Sequence, residues 1–326
     1  MTNRKIYVLS SIFLALNASI LAQGCVASGH PSADALWGAH ARSSQLEATL
    51  DQPGPIQVES VVSATWRVPL EGMLNLEHPS AKAAGLRSTE QPVMIYFHAL
   101  RHPTRGLFIV DTGVEHALKN EPERAAVRGV VAKLAKMDTV EVNVDLRTWL
   151  AQQPQALAGV FLTHLHLDHI MGMPDVPRGT PVFTGPGEAR AHGALNLFTR
   201  PITDRAFAGQ NPIGEWQFQP DPDQRFAGVL DVFGDGSLWA LHVPGHTPGS
   251  TAYLARTPQG PVLMVGDACH TSWGWEHGVE PGSFSADQAR SAQSLGNLES
   301  LVKRHPSVDV RLGHQPRGQQ IVTSPG

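Results

Sequence analysis

Two cysteines, Cys25 and Cys269, are all that 326 residues contain. No disulfide framework can therefore hold the fold, and stability has to come from core burial, with bound metal as the remaining staple. Basic patches are scarce too: there is no Lys/Arg run interleaved with aromatics, and the formal charge is −4. That balance argues against a nucleic-acid partner. Long apolar runs are also missing. A bilayer span needs about 20 strongly apolar residues, whereas the longest such stretch, Ile6 to Ala22, is diluted by Ser10, Ser11, Asn17 and Ser19. Internal repeats and long low-complexity blocks are absent as well.

What is present begins with a leader. Arg4 and Lys5 precede the apolar run, and small residues follow it up to Cys25, the layout of a secretory signal peptide over residues 1–24. "LAQGC" resembles a bacterial lipobox, with Ala22 where leucine is usual. The expectation is an exported protein, either periplasmic or anchored in a membrane through a lipidated Cys25, with ordinary leader cleavage as the alternative. Residues 25–55 read as a tether or an arm packed on the domain, with a helix-like piece from Ala33 to Leu50. Residues 56–326 show no composition break and read as one domain.

Within that domain, apolar β-branched runs alternate with helical patterns. "VMIYFHAL" and "GLFIVDTG" flank "RHPTRG" as a hairpin. "ERAAVRGVVAKLAKM" has helical spacing, and "AGVFLTHLHLDH" reads as a strand. "TPVFTG", "LWALHVPGH", "PVLMVGDACH" and "VDVRLGH" read as further strands. A long amphipathic helix is expected from a cap at Ser285 to His305. The implied class is a layered α/β domain.

"THLHLDHIMG", residues 163 to 172, places three histidines and an aspartate within six positions. On a strand, His164, His166 and Asp168 would share one face, and His169 could join them only if the chain turns there. One metal closes with about four ligands, so this density suits two adjacent ions. His246 in "VPGHTPGS", Asp267 in "VGDACH" and His314 in "RLGHQP" each follow an apolar run and a glycine, and so belong at a similar sheet edge.

In that order the seven positions resemble the ligand set of the metallo-β-lactamase superfamily, over roughly residues 60 to 320. The resemblance implies a four-layer αββα sandwich and two divalent metal ions, zinc foremost, with iron or manganese also suited to imidazole and carboxylate. It assigns His164, His166 and His246 to the first metal, Asp168, His169 and His314 to the second, and Asp267 to both. Asp111 in "FIVDTG" would support the site from behind. The implied chemistry is hydrolysis, with a metal-bridging hydroxide attacking a carbonyl and Asp168 orienting it.

Among the branches, glyoxalase-type thioesterases extend well beyond their last histidine, whereas twelve residues follow His314. Zinc β-lactamases generally carry Cys or Ser at the position of Asp267. A lactonase-like hydrolase fits best, acting on a lactone or related ester and conceivably on N-acyl-homoserine lactones. A zinc β-lactamase or thioesterase is the alternative within the superfamily, and a non-catalytic metal-binding protein the alternative outside it. Lactonases that resemble this chain around "GDACHTSW" carry tyrosine at the position of His270, and a histidine there could serve as donor or acid. Thr163 and Thr247 read as supporting hydroxyls, Cys269 as a buried thiol, and Trp273 and Trp275 as pocket wall or core.

Overall fold

A computed structural model describes residues 25–193 and 196–323. The expected leader lies outside them. Among the described residues no helix is long and apolar enough to cross a membrane.

Alternation along the strands explains the layering. In Gly106–Val110, Leu107 and Ile109 point to one apolar cluster while Phe108 and Val110 point to another. In Leu238–His242 and Thr251–Thr257, Ala240 and Tyr253 join that second cluster, whereas Trp239, Leu241 and Leu254 join a third. Strands buried on both faces require apolar partners on both sides. Two sheets thus share the middle cluster, and helices cover the outer two. Leu146–Ala151 and Asn196–Ala206 cover one sheet, and Gln288–Arg304 covers the other. This is the expected αββα sandwich.

The first sheet runs Ser32–Asp34, Ile213–Glu215, Val182–Thr184, Leu157–Phe161, Gly106–Val110, Glu90–His102, Gln57–Pro69, Glu141–Val142. The second runs Asp309–Arg311, Gly260–Met264, Thr251–Thr257, Leu238–His242, Gly228–Asp231, Ala39–Ala41. Gly106–Val110 and Leu157–Phe161 are parallel, as are Gly260–Met264 and Asp309–Arg311. Their C-terminal ends therefore emerge on one side of each sheet. The hairpin expected around "RHPTRG" is present, pairing Glu90–His102 with Gly106–Val110.

Several local expectations yield to tertiary contacts. The helix expected from Ala33 to Leu50 is confined to Ser43–Glu47. The residues before it instead form edge strands, Ser32–Asp34 on Ile213–Glu215 and Ala39–Ala41 on Gly228–Asp231, which satisfies backbone groups that open edges leave unpaired. Glu47 then ties this arm to the domain through Arg304 (2.7 Å), Arg225 (2.6 Å) and His305 (3.1 Å). Burial works against its charge, but these partners outweigh it and hold Glu47 down to about 2. In "ERAAVRGVVAKLAKM" only Gly129–Leu134 is α-helical, starting where Gly129 takes φ +69°. The long helix begins at Gln288, capped by Asp287, which accepts the N–H of Arg290. Ser285 is not its cap.

Glu115 is 3% exposed and accepts the N–H of Ala126. Burial, reinforced by nearby Asp175, raises it from 4.5 to about 7. The folded protein then binds this proton more tightly than the unfolded chain, so the contribution of Glu115 to stability is full below about pH 4.5 and is lost as pH rises through 7. Glu115→Gln keeps the acceptor and removes the charge. Urea unfolding should show it more stable than the parent at pH 8, by roughly 1–3 kcal/mol, and near parity at pH 4.5. A pH-independent difference would remove Glu115 from this role.

Candidate metal centre

The strand expected to carry the histidines stops at Phe161. Two captures end it. The N–H of Thr163 is donated to Asp111 Oδ1 at 2.8 Å, and the Tyr253 hydroxyl donates to the carbonyl of Leu162 at 3.2 Å. His164 and His166 consequently stand on a loop, and His166 directly precedes the short helix Leu167–Ile170, which carries Asp168 and His169 in one turn. Alternation along a strand is thus not what aligns the four side chains. A loop followed by a helical turn aligns them.

The other three arrive from the second sheet. His246 lies in the connection between Leu238–His242 and Thr251–Thr257, Asp267 follows Gly260–Met264, and His314 follows Asp309–Arg311. All seven expected residues meet in two groups, His164 with His166, His246 and Asp267, and Asp168 with His169, His314 and Asp267. Within each group the donor atoms lie within 4.8 Å of one another. Oδ2 of Asp267 stands 3.4 Å from His246 Nε2, 3.6 Å from His164 Nε2 and 3.3 Å from His169 Nε2, while Oδ1 is 3.3 Å from His314 Nε2. One carboxylate therefore faces both groups.

The donor set fits cations. His164 Nε2, His169 Nε2 and Asp267 Oδ1 are buried without a hydrogen-bond partner, a costly condition unless something else satisfies them. His246 Nε2 and His166 Nδ1 face each other at 2.8 Å, an arrangement that suits two lone pairs aimed at one ion. Burial first, then neighbouring imidazoles, push His164 and His246 well below the usual histidine range, so both present neutral nitrogen. In the second group burial also opposes charge, yet Asp267 and its neighbours outweigh it and raise His169 and His314, the latter to about 10. A cation entering there competes with protons.

Behind the donors stands a layer that fixes each ring. His169 Nδ1 donates to Asp111 Oδ2 at 2.8 Å, and His314 Nδ1 donates to the Met94 carbonyl at 2.9 Å. Thr163 Oγ1 lies 3.1 Å from His164 Nδ1, and Ser285 Oγ lies 3.3 Å from His246 Nδ1. Asp111 sits at φ 57°, a left-handed conformation uncommon outside glycine that turns its carboxylate back toward the site. His270 is 2% exposed, with Nε2 2.9 Å from Asp267 Oδ2 and Nδ1 2.9 Å from the Met73 carbonyl. Both ring nitrogens are engaged. That places the residue expected as a donor or acid directly against the shared carboxylate. Cys269 is buried in the outer core with its thiol pushed up by burial, and Trp275 packs in the same cluster.

Residues 92–307 match the metallo-beta-lactamase superfamily. The chain belongs to that family. Among its relatives, N-acyl homoserine lactonase AttM of Agrobacterium fabrum is 27% identical over 234 residues, which cover 69% of this chain and 82% of AttM. Gamma-lactamase MBL2 of Gibberella moniliformis is 29% identical over 174 residues, covering 50% of this chain and 70% of the relative. Similar solved structures include a quorum-quenching N-acyl homoserine lactone lactonase (TM-score 0.56, 18% identity, 81% of this chain and 93% of that one). Another is AidC, a dizinc quorum-quenching lactonase in complex with a product (TM-score 0.53, 15% identity, 86% and 92%). At those identities the structural likeness shows the metallo-β-lactamase fold and nothing finer.

One residue of the centre carries no signal in the sequence. Glu188, a lone acid in "GPGEAR", is 1% exposed and joins two of the donor-bearing loops. Nothing in its local pattern distinguishes it from a turn residue.

Asp111 takes two N–H groups with its two oxygens, and an amide would turn a donor against one of them. Asp111→Asn should weaken cation retention by about 10–100-fold in chelator competition while leaving secondary structure intact. Unchanged retention would separate Asp111 from the centre.

Proposed function

We propose that the protein is a metal-dependent hydrolase that opens a lactone or related ester, with N-acyl-homoserine lactones as the leading substrate class. The observation that carries this reading is the pair of donor groups sharing Asp267, complete at all seven positions. The names of its lactonase relatives support the substrate class. Two divalent cations held there, zinc foremost, would bring a shared water to a pKa near 7 and polarise a carbonyl and its leaving oxygen.

The chain's own residues do the rest. Asp168, whose side chain is 19% exposed, is the most open carboxylate of the centre and stands beside the half-buried His166. Burial opposes its charge, but His169 and His314 hold Asp168 well below the usual carboxylate range. It is thus available to accept a hydrogen bond from the attacking water and orient it. The buried walls exclude bulk solvent, so fixed charges act there at reduced screening. His270 keeps the Asp267 carboxylate in register between the groups.

Location belongs to the same proposal. The leader-like segment supports export, with Cys25 as the attachment point if it is lipidated. Mass spectrometry of the mature N-terminus from a bacterial host checks this, because cleavage elsewhere or an intact leader would remove the anchor.

Asp267→Ala should fold, lose metal occupancy, and lower hydrolysis by ~10²–10³-fold or more. Metal analysis and rates on a homoserine lactone, a thioester and a chromogenic cephalosporin provide the check. Lactone turnover should lead in the parent protein. Cephalosporin turnover leading would move the protein to the β-lactamase branch, and full activity in Asp267→Ala would overturn the shared-carboxylate mechanism.

A further inference from the structure

The three histidines of the first donor group come from two loops far apart in sequence, one carrying His164 and His166 and the other carrying His246. Glu188 stands between them. Its Oε2 accepts the N–H of Leu165 at 3.2 Å, the residue between the two histidines, and its Oε1 accepts the N–H of Gly249 at 2.8 Å, three residues beyond His246. Thr247, beside His246, is paired with Ser250, its Oγ1 2.8 Å from Ser250 Oγ. The packing leaves no slack: a Cβ on Gly249 would come within 2.6 Å of Glu188 Cγ, and one on Gly185 would overlap the Gly249 carbonyl. The second group has separate supports, Asp111 behind His169 and the Met94 carbonyl behind His314.

We propose that Glu188 is a positioning residue for the His164–His166–His246 group, setting the distance between its two loops and so its affinity for a cation, while the second group keeps its own. The assignment rests on the two-cation reading above. Only a carboxylate does this, because each oxygen must face a backbone N–H. A glutamine offers one acceptor and turns an NH2 donor against the other N–H, leaving a buried donor unsatisfied.

The test uses the full chain, with Glu188→Gln loaded with Co(II) and titrated against a chelator, alongside His246→Ala and His314→Ala as references for the two groups. One of the two Co(II) affinities should fall by about 10–100-fold, and the absorption bands lost should be those lost in His246→Ala. Two unchanged affinities in a folded variant, or an equal loss at both groups, would overturn the proposal. If Glu188→Gln does not fold, Glu188→Asp keeps both acceptor oxygens and draws them back by one methylene. It should weaken the same group by less, and an unaltered titration overturns the proposal there too. Fewer than two ions in the unmodified protein would sink the two-cation reading itself, a result distinguishable because it precedes any substitution.

Discussion

The carboxylate of Asp267 is the one group that both donor sets share, and the architecture around it exists to keep it there. An ionised carboxylate at 3% side-chain exposure costs several kcal/mol unless it is matched by charge and hydrogen bonds. His270 at 2.9 Å, with His169 and His314 at 3.3 Å, supply that match. The space is made by backbone: a Cβ on Gly313 would lie 2.4 Å from Asp267 Oδ1, and Gly266 takes φ +53° beneath Thr163. Parallel pairing of Gly260–Met264 with Asp309–Arg311 brings Asp267 and His314 to the same edge. Loss of that pairing would separate the shared carboxylate from the second group.

The types of the ligands were readable from sequence because metal-grade side chains clustered after apolar runs have few other uses. A layered α/β class was readable from strands alternating with helices, and the four-layer order followed from the resemblance to the superfamily. The local backbone was not, and the causes are tertiary. "FLTHLH" has the alternation of a strand, but Asp111 and Tyr253 take the backbone groups that a continuing ladder would need. Ser285 has the chemistry of a helix cap, yet it is spent on His246, and Asp287 caps instead. The arm reads as helix by propensity until two open sheet edges compete for it. His270 was placed at the centre by its neighbours in sequence, but which way its ring nitrogens turn depends on Met73, nearly two hundred residues away.

A cavity of about 570 Å³ lined by Trp37, Arg105, Phe108 and Phe233 sits at the starts of Gly106–Val110 and Leu157–Phe161, the ends opposite the metal groups. Concavity alone would mislocate the chemistry. Donor geometry and unsatisfied buried nitrogens locate it.

Charge within the centre is divided unevenly, and that division bears on how each donor group would take up a cation. The first group presents three imidazoles that burial keeps neutral, plus a share of Asp267. The second adds Asp168 to the same share, and these carboxylates raise His169 and His314 above the usual histidine range. The tendency to hold protons therefore lies with the second group, so an entering cation displaces protons there and meets free lone pairs at the first.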